Sequence, residues 1–352
     1  MMKRSIVSTA GSEQEERMRT ADLHTDVSWH GVASLEDTGH GVQPWRLPHQ
    51  DHALYPGGDL IERAAMPAGV RLRFRTDSRR LVLDLRSDAD CSPVDVVTGD
   101  GVLRAEIGRS PVEFAVPPGL VEVWLPQYGR VLVNRLLVEE GARCEPVEES
   151  RPRWIVHGSS ITQCRSAPGP TETWSAICAT RLGFDHLNLG FGGQCLLDPS
   201  IARLIRDERA DLVTLCLGIN VHGQATHNER SLLPAILGFI STVRDGHPGV
   251  PIHVITPIST AFPADEPNSH GLTLEFIRHA IAQAVQILRD RGDRGLHLVH
   301  GVSLLGADDT DLLADNVHPN GRGYRQIAER MMDHLARPRG DAESTRDQEQ
   351  DT

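Results

Sequence analysis

From residue 154 to residue 335, short apolar runs alternate with longer amphipathic stretches, and this rhythm limits the possible folds more than any other feature of the chain. The runs are Trp154-Ile155-Val156-His157, Leu187-Asn188-Leu189, Leu212-Val213-Thr214-Leu215-Cys216-Leu217, Ile252-His253-Val254-Ile255 and Leu296-His297-Leu298-Val299. The helix-like stretches are 173–182, 199–206, 230–245, 272–289 and 323–335. Strands that are apolar on both faces are covered on both sides, and strands separated by helices pair in parallel. A doubly wound five-stranded parallel sheet over 152–337 is therefore expected.

The preceding region, 21–147, keeps a different time. Val70-Arg71-Leu72-Arg73-Phe74-Arg75 and Leu81-Val82-Leu83-Asp84-Leu85-Arg86 alternate with a period of two, as half-buried strands do. Turn signals such as Gly99-Asp100-Gly101 and Pro117-Pro118-Gly119 punctuate further short runs. The expectation is an all-β sandwich of jelly-roll type with no helical period. Residues 139–153 hold Gly141, Pro146 and Pro152 without an apolar repeat and mark the domain boundary. Residues 1–20 and 338–352 are polar and are expected to be disordered tails.

A parallel sheet collects ligands beyond the carboxyl ends of its strands, so that edge is where function is sought. Gly158-Ser159-Ser160, Asn188-Leu189-Gly190-Phe191-Gly192-Gly193 and Gly218-Ile219-Asn220 each follow a strand, and Asp315-Asn316-Val317-His318-Pro319 precedes the last helix. Together they supply a hydrolytic set. Ser160 offers a hydroxyl, His318 an imidazole base, and Asp315 a carboxylate to fix the imidazole tautomer. The backbone N–H groups of Ser160 and Gly193 and the amide of Asn220 are candidate oxyanion donors. Cys164 is a rival nucleophile, but it lacks the glycine turn that precedes Ser160.

These blocks, in this order and spacing, resemble the SGNH (GDSL-type) hydrolase superfamily over about residues 153–336. The resemblance implies a flavodoxin-like α/β/α fold, with Ser160 as nucleophile, Gly193 and Asn220 as oxyanion donors, His318 as base and Asp315 as its orienter. One departure is visible: the family's first block usually reads Gly-Asp-Ser, and here Ser159 replaces the aspartate, which puts the support of that turn in question. The opening of the sandwich, Trp29-His30-Gly31-Val32 and Gly41-Val42-Gln43-Pro44-Trp45-Arg46-Leu47-Pro48, looks like the N-terminal β-domain of a subgroup that includes a polyketide-tailoring acyltransferase. That architecture is also similar to two-domain carbohydrate esterases. Trp29, Trp45 and Arg46 are expected in the core rather than stacked on a ligand.

Composition narrows the partners. The formal charge is −12 with no dense basic patch, which argues against nucleic acid. Six cysteines show no metal or disulfide spacing, no HExxH occurs among the 17 histidines, and no metal or other cofactor is expected. No stretch approaches the ~20 apolar residues of a membrane span, the first 20 residues lack a secretory core, and a cytoplasmic protein with free thiols is expected. His157, Arg165 and His222 flank the catalytic blocks and are candidate substrate contacts, Arg165 for an anionic group. The loops 162–172 and 258–271 are expected to shape access. The reading is a serine esterase acting on O-acyl esters of a small soluble substrate such as an acetylated sugar. Acyl transfer to a hydroxylated natural product is the alternative, and an inactive carbohydrate-binding protein is the reading of another class. The sequence leaves the oligomeric state open.

Overall fold

The computed structural model describes residues 17–336 apart from residues 56 and 109. The first twelve strands are β1 (Met18–Ala21), β2 (Ser28–His30), β3 (Ser34–Asp37), β4 (Val42–Trp45), β5 (Arg71–Thr76), β6 (Arg80–Ser87), β7 (Val94–Thr98), β8 (Gly101–Ala105), β9 (Val112–Ala115), β10 (Gly119–Trp124), β11 (Val131–Glu139) and β12 (Cys144–Pro146). They form two antiparallel sheets, ordered β3-β4-β11-β6-β9 with β1 also on β11, and β12-β5-β10-β7-β8 with β2 also on β5. Leu72, Phe74, Leu83, Val96, Val121, Val133 and Val138 fill the space between the sheets. The period of two read from the sequence is this inward-facing set.

Two expectations for this region are corrected. Met18–Ala21 is strand β1, registered against Leu136 to Glu139, so the ordered sandwich begins inside the stretch 1–20 assigned to a tail. Residues 1–16 and 338–352 lie outside the described residues. The region also contains a helix, α1 (Gly57–Ala64), after a 3-10 turn at His49–Leu54. Only Leu60 and Ala64 of α1 are buried, and two turns carry too few apolar repeats to stand out from flanking loop residues.

The second domain holds β13 (Arg153–Gly158), β14 (Asp185–Gly190), β15 (Leu212–Cys216), β16 (Ile252–Ile255) and β17 (Leu296–Val299), all parallel, in the order β14-β13-β15-β16-β17. Its helices are α2 (Ser160–Gln163), α3 (Trp174–Leu182), α4 (Pro199–Asp207), α5 (Ile219–Gln224), α6 (Glu229–Gly246), α7 (Leu274–Asp290), α8 (Gly301–Leu304) and α9 (Gly321–Leu335). Alternation along β13 sends Ile155 to a core shared with α4, α6 and α7, and Trp154 and Val156 to one shared with α3 and α9. After β13 the chain winds first to β14 and then back across to β15, so β13 sits at the switch point. Its carboxyl end delivers Ser160.

The two domains share a core. Trp45, Leu47, Leu60, Ala64 and Ala65 of the sandwich domain pack into the same cluster as Leu187, Leu189, Phe191 and Ile201 of the α/β domain. Trp45 is therefore a core residue, as expected, but of the seam between domains. Trp29 is half-buried against the sandwich core and donates its indole N–H to Leu23 O at 2.7 Å.

Candidate active site

The turn after β13 is built around two small residues. A Cβ on Gly158 would collide with Thr162 Oγ1, so only glycine lets the chain reverse there. Ser159 then caps α2, its hydroxyl accepting the Ile161 N–H at 3.2 Å. A serine at this position thus supports the turn by the ordinary N-cap bond, which answers the question raised by the missing aspartate. Ser160 follows at the first helical position, half-buried, and its own N–H has no acceptor among the described residues.

Three separate pieces of chain meet at this point. Ser160 Oγ lies 2.8 Å from His318 Nε2, and His318 Nδ1 lies 2.8 Å from Asp315 Oδ2. Asp315 Oδ1 also accepts the N–H groups of Val317 at 2.8 Å and His318 at 2.7 Å. Burial works against the Asp315 charge, but these N–H groups and the imidazole outweigh it and hold the carboxyl below its ordinary value. An ionised Asp315 favours the tautomer with the proton on Nδ1, which leaves Nε2 free to take the serine proton. The loop is fixed by Ala314 N–H to His318 O at 2.7 Å and by Ala261 N–H to Asn316 O at 2.9 Å.

The glycine turn after β14 closes the third side. A Cβ placed on Gly192 would lie 3.5 Å from Ser160 Cβ, so the turn abuts the nucleophile. Gly193 adopts φ +76, and its carbonyl accepts from Gln224 Nε2, leaving its N–H without an acceptor among the described residues. Asn220 Oδ1 accepts the Cys195 N–H at 3.1 Å, which assigns its amide orientation and leaves Nδ2 as a donor. The Ser160 and Gly193 N–H groups and Asn220 Nδ2 are thus left as donors at three strand ends, the kind of group that can stabilise a tetrahedral oxyanion.

The other expected site residues fall elsewhere. His157 is buried in the sheet, with Nδ1 2.9 Å from Leu189 O and its ring stacked on Phe239; burial pushes its pKa down to about 4, and it has no access to a substrate. Arg165 is on the rim, but its charge is matched by Asp90 at 2.7 Å. His222, in α5, packs against loop 258–271, its ring stacked on Phe262 and Nε2 3.1 Å from Glu266 O. Cys164 is fully buried and its thiol is pushed well above its ordinary pKa, so it does not rival Ser160.

Several residues brace the site through contacts that no local sequence pattern announced. Asn188 donates to Thr162 O at 2.9 Å and Ser175 Oγ at 3.1 Å while accepting the Gly190 N–H at 2.8 Å, tying the serine turn to the glycine turn. Gln163 Oε1 holds the Gly192 N–H at 2.9 Å. The sandwich domain contributes as well. Arg46, fully buried, donates to Met66 O, Asn188 O, Gly190 O and Arg63 O, and lies over the Phe191 ring at 4.8 Å. Gln127 Nε2 holds Ala167 O at 2.9 Å, and Arg104 joins Asp95 at 2.7 Å and Glu172 at 2.6 Å, so loop 162–172 is fastened to the sandwich.

The geometry has a counterpart in sequence. The profile of the GDSL-like Lipase/Acylhydrolase family matches residues 152–336, more than half of the 352 residues. The chain belongs to the GDSL-like lipase/acylhydrolase family. A second profile, the N-terminal domain of SsfX3, matches residues 27–134. Among solved structures, the salicylyl-acyltransferase SsfX3 from a tetracycline biosynthetic pathway is 28% identical with a TM-score of 0.83, covering 91% of this chain and 97% of that one. A family two carbohydrate esterase from Cellvibrio japonicus shares the fold at 15% identity and TM-score 0.63, covering 90% and 96%. An active site mutant of a family two carbohydrate esterase from Clostridium thermocellum does so at 13% and 0.66, covering 89% and 98%. A search of curated proteins finds no match.

One cluster elsewhere has the donor types of a metal site: His30, Glu149 and Asp185, with ligand atoms within 4.8 Å of one another. Arginines already occupy it. Asp185 bonds Arg71 and Arg153, and Glu149 bonds Arg73 at 3.3 Å and Arg151 at 2.6 Å, so the carboxylates serve as ion-pair partners across the domain seam. Among the described residues no helix is long and apolar enough to cross a membrane.

Proposed function

We propose that this family member is an acyltransferase that loads an acyl group onto Ser160 and passes it to a hydroxyl of a small acceptor, with hydrolysis as the competing outcome. Ser160 Oγ attacks the donor carbonyl as His318 Nε2 takes its proton. The oxyanion is met by the N–H groups of Ser160 and Gly193 and by Asn220 Nδ2. Collapse expels the donor's alcohol or thiol, which leaves with the proton from His318. The acceptor hydroxyl then gives its proton to His318 and attacks the acyl-enzyme, and collapse returns the proton to Ser160 Oγ and releases the new ester. The observation that carries this reading is the Oγ–Nε2–Nδ1–Oδ2 relay, with both contacts at 2.8 Å. Transfer is favoured over hydrolysis by the likeness to the salicylyl-acyltransferase across both domains.

A second reading, hydrolysis of O-acyl esters such as acetylated sugars, is favoured by the exposure of the relay: the His318 and Asp315 side chains are 34% and 59% exposed, open to water. One experiment separates the two. The protein is incubated with an acyl p-nitrophenyl ester with and without a polyhydroxylated aromatic acceptor, and free acid and new ester are both measured. New ester formed at the expense of acid supports transfer; acid alone across an acceptor panel supports hydrolysis. Equal turnover by wild type and Ser160→Ala removes the enzyme reading altogether.

A further inference from the structure

Arg63, at the last turn of α1, reaches from the sandwich domain to the glycine turn beside Ser160. A Cβ on Gly192 would lie 3.5 Å from Ser160 Cβ and 3.7 Å from Arg63 Nε, so the hydroxyl-bearing carbon and the guanidinium flank one small volume. The guanidinium is not otherwise engaged. Its Nε is buried with no hydrogen-bond partner, its Nη1 meets only the Met66 thioether at 3.8 Å, and no carboxylate among the described residues pairs with it. Its Cζ lies 5.9 Å from the Tyr128 ring, whose other neighbour, Arg165, is spent on Asp90. Arg46 fixes it from behind by donating to the Arg63 carbonyl. In a chain of net charge −12, where Arg71, Arg73, Arg104 and Arg153 all have acidic partners, an arginine left unpaired beside the glycine turn that abuts Ser160 is conspicuous. An unmatched buried donor costs free energy unless a ligand satisfies it.

We infer that Arg63 is a carboxylate subsite: the substrate carries a carboxylate close to the ester, and the sandwich domain recognises it through the Arg63 fork while the α/β domain performs the chemistry. The planar guanidinium suits a carboxylate through paired N–H donors, where a lysine would offer only a point charge. The subsite deepens the acyl-transfer reading above and rests on it for the position of the ester, but not for the binding of the anion.

Two isosteric ester pairs test it. In one the charge is on the acyl side, p-nitrophenyl hemisuccinate against p-nitrophenyl isocaproate; in the other it is on the alcohol side, m-acetoxybenzoate against m-isopropylphenyl acetate. In at least one pair the wild type should favour the charged member, and Arg63→Gln should reduce that kcat/KM ratio by roughly tenfold to a hundredfold, mainly through KM, with Arg63→Lys in between. A ratio unmoved by Arg63→Gln, or no preference in either pair, overturns the subsite. A binding measurement keeps the two readings apart. In a Ser160→Ala background, m-hydroxybenzoate should bind at least tenfold tighter than m-hydroxybenzamide by calorimetry, and Arg63→Gln should erase the difference. That result with no turnover of any ester sinks the acyl-transfer reading and leaves the subsite standing; turnover with equal binding of acid and amide sinks the subsite alone.

Discussion

Strand β14 is gripped at each end by an arginine of the sandwich domain, Arg71 at its start and Arg46 at its finish, and the two grips differ in kind. At its start, Asp185 bonds Arg71 and Arg153, with His30 Nδ1 3.5 Å away, so charge is met by charge. The site is buried, and although burial alone would raise the Asp185 pKa, His30, Arg71 and Arg153 hold it far below the carboxylate range. At its finish, Arg46 meets only carbonyl oxygens, including Asn188 O and Gly190 O. Burial, and then the neighbouring charge of Arg63, push Arg46 down to about 9, still a cation at neutral pH. The start of the strand is electrically closed and the finish stays positive. A closed pair joins two domains; at the finish the charge of Arg46 is met by carbonyl dipoles alone.

If this contrast is right, damage at the finish removes activity and damage at the start removes stability. The largest effect is expected for Ser160→Ala, which should lower kcat/KM by about four orders of magnitude or more on an activated ester. His318→Ala should match it, and Asp315→Ala, whose carboxylate is more exposed than the imidazole it orients, should lose less. Comparable mild losses in His318→Ala and Asp315→Ala would contradict the assigned relay. Asn220→Ala should cost roughly a hundredfold to a thousandfold in kcat, the usual loss for one oxyanion donor.

The seam variants probe the comparison directly. Arg46→Met is expected to lower kcat by about tenfold to a hundredfold, because a shift of about 1 Å in the glycine turn misplaces its donors. Asp185→Asn should leave kcat within about threefold while lowering unfolding stability by ~3–5 kcal/mol, since Arg71 and Arg153 would be left without their buried counter-charge. Denaturant melts and steady-state rates on the same preparations check both. Equal losses of activity in the two variants would erase the distinction between the strand's ends.

The smallest effect is a pH slope. His157 has a pKa of about 4 when folded, against about 6.5 in an unfolded chain. Between those values the unfolded chain binds a proton that the folded one does not, so stability is complete above about pH 6.5 and falls as pH drops toward 4. His253, pushed down to about 3 chiefly by burial, adds to the same slope. Below about pH 4 the depressed Asp185 contributes, because its unfolded form protonates first. Midpoints of thermal melts across this range should fall, and His157→Leu should remove one proton's share of the slope between pH 6.5 and 4. An unchanged slope in that variant would mean that His157 is not buried neutral.

Much of the molecule was legible before folding. The five β-runs of the α/β domain and the blocks at their ends were readable because strand and helix periods are local, and because Gly158 and Gly193 mark turns that side chains cannot enter. Arg46 was placed in the core, but its grip on the glycine turn was not foreseen, and His157 and Arg165 were misplaced for the same reason that Arg63 was missed. Adjacency in sequence to a catalytic block does not say which way a strand residue faces, and His157 points into the sheet beside Leu189. Helix α1 carries no long apolar repeat, and its buried residues, Leu60 and Ala64, are complemented by a domain that begins about 90 residues later.

The sequence by itself determined the layers, the parallel sheet and the candidate set Ser160, His318, Asp315, Gly193 and Asn220, since each depends on a local period or on a residue type at a strand end or beside the last helix. Only the tertiary structure decided that the sandwich reaches into the catalytic core and which arginines it leaves paired or open. Domain packing brings Arg46 to Gly190 and Arg63 to Gly192, contacts that span more than a hundred residues and leave no local pattern. The charge on an arginine is written in the chain; whether anything neutralises it depends on what folding places alongside.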